Sequence, residues 1–298
     1  TIVSDSGFKA MGSQQSHQTE WNKSVFEVYK DASVGLDWTE TLKVTCDDAG
    51  IAFFTSPYSM DIVEHIDSYV PAYKIGSGDI TWIEMVKYIA SKQKPYILAT
   101  GASTADEVLR AVAAGLGINP MICLMQCNTN YTASLENFKF IQLNVLKVYR
   151  QMFPNLVLGL SDHTPGLATV LGAVALGARM IEKHFTDDTN RIGPDHKFSM
   201  NPDSWLNMVE RTRELENALG CGIKKVEDNE KETVIIQRRA IYAATDIAVG
   251  TMLTHDHFKV LRPCPIDGLP PYQIDNLIGR KIRQDVKAGE CIRWINIK

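Results

Sequence analysis

The chain has 298 residues, 45% hydrophobic and 22% charged, an ordinary globular composition that excludes a disordered or collagen-like polymer. With 31 basic against 35 acidic side chains the net charge is −4, so no general field gathers nucleic acid or an anionic membrane surface. The six cysteines are scattered with no CxxC pair, which reads as reduced thiols in a cytoplasmic protein, and no apolar run reaches the ~18 residues of a membrane span. The first residues are polar and begin with Thr1 rather than Met, so no signal peptide is expected and the chain reads as a fragment or a processed protein.

In chain order, the first 35 or so residues are polar without a clear period and are expected to form a long loop. Short apolar runs then alternate with amphipathic segments. Ile51–Phe54, Tyr73–Ile75, Tyr96–Thr100, Met121–Gln126, Leu156–Leu160 and Met180–His184 are six strand candidates. Helical patterns fall near Trp38–Ala49, Trp82–Lys92, Thr104–Ala114, Leu135–Met152, Leu167–Leu176 and Asp203–Leu219, the last with Asn201-Pro202 as its start signal. Alternation of this kind implies a parallel sheet, either doubly wound or most of a (β/α)₈ barrel. The expected domains are a barrel-type unit over 1–220, a charged linker over 221–236 and a small, mostly β domain over 237–298. Ala240–Ala243, Phe258–Val260 and Ile292–Ile295 are the strand candidates of that domain, with turns at Val249-Gly250, Asp267-Gly268 and Ala288-Gly289.

Polar residues gather where the strands end: Phe54-Thr55-Ser56-Pro57, Lys74-Ile75-Gly76-Ser77-Gly78-Asp79, Ala99-Thr100-Gly101, Gln126-Cys127-Asn128-Thr129, Ser161-Asp162-His163 and Glu182-Lys183-His184. Ligands of parallel α/β folds bind outside the carboxyl ends of the strands, so this repetition points to one site. His163 and His184 end consecutive strands, about 4.8 Å apart if paired, and two imidazoles with oxygen partners suit a first-row divalent ion. The alternative is a pair of capping histidines bonded to Asp162 and Glu182. Lys74 with Ser77, Gly78 and Ser161 forms a candidate phosphate cradle, or else Lys74 serves a buried ion pair. Gly193-Pro194-Asp195-His196 is either a loop that holds sugar hydroxyls or a connecting turn. Cys123 and Cys127 read as packing residues.

Taken together, Gly159–Thr164, Leu171–Gly177, Glu182–Asp187, Gly193–His196, Ser199–Pro202, Lys74–Gly78 and Cys127–Tyr131 resemble bacterial N-acetylneuraminate (sialic acid) synthases. The resemblance extends to the related synthases of legionaminic and pseudaminic acid. The tail from Arg238 to Ile297 resembles that family's antifreeze-like, or SAF, domain. The resemblance implies a (β/α)₈ TIM barrel, incomplete at its N-terminal side here, in a domain-swapped homodimer. It implies condensation of phosphoenolpyruvate with N-acetylmannosamine or a related acylated hexosamine, with release of phosphate. Mn²⁺ or Mg²⁺ would sit on His163 and His184. Lys74, Ser77, Ser56, Thr129 and Ser161 would hold phosphoenolpyruvate; Tyr131, Glu182 and Asp195 would hold the sugar, joined by Arg262 from the partner subunit. His163, His184, Glu182 and Asp79 would be the catalytic residues; Asp79 stands where many members have Glu, and Ala99 where many have Ser. Family members also begin with two further strands that carry a catalytic Glu and a Lys-Phe-Gln, neither of which is found here. The other expectations are a binding protein without turnover and a phosphoenolpyruvate-using enzyme that makes a shorter keto-sugar acid.

Overall fold

The computed structural model describes residues 3–11, 23–193 and 195–298. The chain divides into two compact units, Thr1–Gly220 and Cys221–Lys298.

The first unit opens with two short helices, α1 (Asp5–Met11) and α2 (Val25–Asp31), where the sequence reading expected a loop. A capping box explains α2: the Ser24 hydroxyl accepts from the Glu27 amide while the Glu27 carboxylate accepts from the Ser24 amide. α2 buries no side chain. After α3 (Trp38–Asp48) and α4 (Met60–Ile66), strands and helices alternate: β1 (Tyr73–Ile75), α5 (Ile83–Ser91), β2 (Tyr96–Ala99), α6 (Ala105–Leu116), β3 (Ile122–Cys127), α7 (Val145–Met152), β4 (Val157–Asp162), α8 (Ala168–Ala175), β5 (Met180–Lys183) and α9 (Pro202–Leu219). The five strands form one parallel sheet in the order β1-β2-β3-β4-β5, a section of barrel wall of the TIM type. β1 to β3 are buried throughout, as expected of parallel strands with helices packed on one side.

Two further expectations are corrected in this unit. Ile51–Phe54 is not a strand. Its neighbourhood makes a single sheet-like bond, from the Lys74 amide to the Thr55 carbonyl at 3.3 Å, and Ile51 and Phe54 are exposed, so the run lacks the burial that would hold it in the sheet. The strand count is therefore five rather than six among the described residues. The long helix expected over Leu135–Met152 is broken into a 3₁₀ turn at Leu135–Phe140 and α7, with Gln142 at φ 53° between them.

Two layers of packing hold the sheet. Tyr73, Ile75, Tyr96, Leu98, Leu124, Leu158 and Leu160 pack against Val86, Ile89, Val108, Val112 and Leu146 of the helices. On the other face Ile97, Cys123 and Met125 make a smaller cluster with Met180. Gly159 lets β4 lie close to both neighbours: a Cβ there would meet the Met125 Cγ and the Met180 carbonyl oxygen at 2.8 Å each.

In the second unit a 3₁₀ turn at Asp228–Glu230 leads into α10 (Lys231–Gln237), so the segment expected to be a charged linker is partly helical. None of the residues of α10 is buried. β6 (Ala240–Ala243) pairs antiparallel with β7 (Phe258–Leu261), and α11 spans Ile274–Leu277. Ile241, Ile247, Leu253, Leu269, Leu277, Ile282, Val286 and Ile292 make its core. The third expected strand, Ile292–Ile295, is replaced by isolated bridges, Tyr242 with Cys291 and Ile282 with Ile297, around a 3₁₀ turn at Trp294–Asn296.

Candidate active site

The carboxyl ends of β1, β3, β4 and β5 open into a cavity of about 350 Å³ lined by Phe54, Thr55, Ser56, Tyr58, Lys74, Gly76, Ser77, Cys127, Tyr131, Ser161, His163, Glu182 and His184. The register places Ser161 opposite Glu182, and strand alternation turns Ser161, His163, Glu182 and His184 to the cavity together.

At its floor lies a cluster of charge and hydroxyl. The Lys74 ammonium contacts both Glu182 oxygens, Oε1 at 2.9 Å and Oε2 at 2.8 Å. The Ser161 hydroxyl donates to Oε1 at 2.7 Å. Burial pushes the Glu182 carboxyl up, but the charge and hydrogen bond of Lys74, with the Ser161 hydroxyl, outweigh it and hold the group below its usual range. Lys74 is the one basic side chain among the described lining residues, and Glu182 neutralises it. Cys123 is buried in the smaller packing cluster of the sheet, and Cys127 is buried but lines the cavity. Burial raises both thiols, Cys123 to about 12, while hydrogen bonding to Ser77 and Ser161 partly offsets the effect at Cys127.

Above this floor stand the two histidines, ring centroids 5.1 Å apart. The His163 Nδ1 lies 2.8 Å from the Asn128 carbonyl oxygen. It is therefore the donor, and the Nε2 lone pair is left to face a ligand. Burial holds the His163 imidazole below its usual pKa. The His184 Nδ1 lies 3.4 Å from the Asp195 carboxylate. The rings of Tyr131 and Phe198 enclose the pair, at 4.3 Å from His163 and 5.0 Å from His184 respectively. The alternative in which both histidines cap their strands through Asp162 and Glu182 is overturned, because Asp162 pairs with Lys183 and Glu182 with Lys74. Two imidazoles on one ion with bonds of ~2.1 Å hold their ring centres within about 6 Å, which this separation satisfies. Among the described residues no group of three or more His, Cys, Asp or Glu side chains gathers for a metal.

Of the residues singled out from the sequence, Ser56, Lys74, Ser77, Tyr131, Ser161, His163, Glu182 and His184 come together on the cavity. Thr129, Asp79 and Asp195 are not part of its lining. Asp79 ends the 3₁₀ turn Ser77–Asp79, where burial raises its carboxyl, and Asp195 reaches the site through His184. Of the motif Gly193–His196, Pro194 lies outside the described residues; His196 is tied to the Thr186 hydroxyl at 2.7 Å. Arg262 is in the second unit, exposed. Asp267, on the loop after Arg262, pairs with Arg293 at 2.7 Å.

Tyr58 escaped the sequence reading, and Gly101 was named there only as part of a strand end. Tyr58 follows the Ser56-Pro57 motif and lines the cavity; burial, then the nearby Asp79, raises its phenol. Gly101 gives its amide to the Ser77 hydroxyl at 2.9 Å. A Cβ at that position would meet Thr129 Cγ2 at 2.5 Å, Ser77 Oγ at 2.9 Å and Cys127 Sγ at 3.0 Å. Its lack of a side chain lets three strand ends converge.

Polar side chains converging at the carboxyl ends of a parallel barrel sheet define an α/β-barrel small-molecule site. The sequence model of the NeuB family matches residues 1–224 and that of the SAF domain residues 238–298. The chain belongs to the NeuB family, whose relatives are synthases of the sialic acid type. It is 33% identical to the pseudaminic acid synthase of Campylobacter jejuni over 92% of this chain and 78% of that protein. It is 30% identical to the N,N'-diacetyllegionaminic acid synthase of Legionella pneumophila over 95% and 80%. The N-acetylneuraminate-9-phosphate synthase of Homo sapiens is also 30% identical, over 95% and 78%. Among solved structures, the N-acetylneuraminic acid synthetase of Leptospira borgpetersenii in complex with citrate superimposes with a TM-score of 0.66 at 27% identity, covering 72% of this chain and 74% of that one. No helix among the described residues is long and apolar enough to cross a membrane.

Proposed function

We propose that the chain condenses phosphoenolpyruvate with N-acetylmannosamine or a related acylated hexosamine to give a nine-carbon keto acid and phosphate. The observation that carries this reading is the convergence of Lys74, Ser77, Ser161 and Glu182 beneath the His163–His184 pair in one cavity of a NeuB-family barrel. Lys74 supplies a compact charge for the phosphate or carboxylate of phosphoenolpyruvate, with Ser56, Ser77, Thr129 and Ser161 as hydroxyl partners. Because Lys74 is neutralised by Glu182, an incoming anion draws it away and leaves the Glu182 carboxylate to accept from a sugar hydroxyl, beside Tyr131 and Asp195. His163 and His184 would hold a divalent ion, Mn²⁺ or Mg²⁺, which when bound would supply Lewis acidity toward the open-chain aldehyde. The enolpyruvate methylene carbon attacks that aldehyde, water adds to the resulting cation, and the tetrahedral intermediate releases phosphate. Arg262 completes the sugar site from the partner subunit of a domain-swapped homodimer.

The test separates the two substrates. Lys74→Ala is expected to raise the KM for phosphoenolpyruvate by tenfold or more while changing the sugar KM little. Equal loss for both substrates would make Lys74 a structural ion-pair partner and remove the anion-binding reading. A binding role without turnover is the second reading, favoured by the prior neutralisation of Lys74. Stabilisation by phosphoenolpyruvate without phosphate release would select it.

A further inference from the structure

Behind the cavity, on the opposite face of the same strand ends, lies an ion pair that lines no part of the site. Lys183 and Asp162 have side-chain exposures of 1% and 0% and meet at 2.6 Å. Their strands are in register, Asp162 opposite Lys183. The Lys183 ammonium also donates to the Thr164 carbonyl at 2.6 Å. The Asp162 carboxylate accepts from the Thr164 amide at 3.1 Å, from the Thr164 hydroxyl at 2.9 Å and from the Thr169 hydroxyl of α8 at 2.6 Å.

An enclosed ion pair of this kind is a poor source of stability, since a well-packed apolar pair of similar volume does as well or better. Its connectivity indicates another role. Asp162 and Thr164 flank His163, and Lys183 immediately precedes His184. The pair therefore pins Thr164, the residue following His163, at both its amide and its carbonyl, to Lys183, the residue preceding His184. Each imidazole is attached to the strand end so fixed.

We propose that Asp162 and Lys183 are positioning residues: a buried clasp that sets the separation of His163 and His184 and so their joint affinity for a divalent ion. The metal part of this inference rests on the proposed function; the geometric part does not. Polar groups behind metal-binding histidines commonly set affinity by 10- to 100-fold.

The experiment uses the full chain and the double variant Asp162→Leu/Lys183→Met, which removes both charges without leaving one buried alone. Thermal unfolding checks folding, Mn²⁺ titration by calorimetry reads affinity, and a crystal structure reads the ring separation. Expected are a melting temperature close to that of the wild type, Mn²⁺ affinity about 10- to 100-fold weaker, and imidazoles that have moved apart from 5.1 Å. His163→Ala is the control and is expected to abolish the Mn²⁺ signal. An unchanged ring separation in the folded double variant overturns the clasp whatever the metal does. Should wild type and His163→Ala titrate alike, the metal reading fails, and the clasp is decided on the ring separation alone. If the double variant does not fold, Thr169→Val decides. It deletes one donor to Asp162 at nearly constant volume and is expected to weaken Mn²⁺ two- to fivefold and widen the ring separation; unchanged affinity and geometry would refute the proposal.

Discussion

Lys74 and Glu182 join β1 to β5 across the cavity, and breaking that pair tests both the packing of the site and its charge logic. At 2.8 Å the attraction of two unit charges is about 6 kcal/mol at an effective dielectric of ~20 and about 1.5 kcal/mol in bulk water. Lys74 is 11% exposed but Glu182 is 38% exposed, so the pair lies toward the wet limit, and the desolvation of Lys74 opposes the gain. The expected net coupling is about 1–3 kcal/mol. Lys74→Met, Glu182→Gln and the double variant form a thermodynamic cycle, read by urea denaturation with tryptophan fluorescence. Lys74→Met alone is expected to cost the most, because the Glu182 carboxylate then keeps only the Ser161 hydroxyl; the double variant should recover much of the loss. Phosphoenolpyruvate should stabilise the wild type and not Lys74→Met. A coupling below about 0.5 kcal/mol, where independent sites also fall, would show that the pair is incidental to the fold of the site.

Gly101→Ala is expected to impair phosphoenolpyruvate use more than overall stability, since the new Cβ pushes on Thr129, Ser77 and Cys127 together; a KM for phosphoenolpyruvate equal to the wild-type value would show that the strand ends have room. The Asp67 carboxyl is held below its usual range first by the Tyr73 hydroxyl, at 2.5 Å, against the effect of burial, and then by Lys94. A depressed carboxyl contributes stability that is full above its unfolded value, near ~3.9, and is lost as pH falls through the folded value. The stability gap between wild type and Tyr73→Phe should therefore be widest near neutrality and narrow below about pH 4; a gap that is constant down to acid would place the effect in packing instead. Mixing His163→Ala with Arg262→Ala is expected to restore partial activity once subunits exchange, because one working site re-forms in the heterodimer; no recovery after verified exchange would assign Arg262 to the surface.

The strand-end motifs were legible because buried parallel strands read as short apolar runs, and polar residues interrupt them where the sheet stops. Ser161-Asp162-His163 and Glu182-Lys183-His184 could thus be placed side by side from the chain alone. The inward members Ser161, His163, Glu182 and His184 were named from the chain; that Asp162 and Lys183 meet on the far face was not legible, because their pairing depends on the register of β4 against β5. Ile51–Phe54 has the composition of a strand, but β-propensity expresses burial against neighbours, and Ile51 and Phe54 remain exposed. Gly101 gave no signal beyond that of a turn, since the need for a missing Cβ arises from Ser77, Cys127 and Thr129 on other strands. The helices α1 and α2 were missed because capping, not an apolar face, starts α2.

The most direct measurement of the proposed chemistry is product mass. The chain is incubated with Mn²⁺, phosphoenolpyruvate and, in turn, N-acetylmannosamine and the acylated hexosamine precursors of legionaminic and pseudaminic acid. The account predicts, with one of these sugars, a product whose mass is that of the sugar plus pyruvate, formed one for one with inorganic phosphate and lost in His163→Ala. Phosphate released without that product, or no turnover with any of the three while phosphoenolpyruvate still binds, would contradict it.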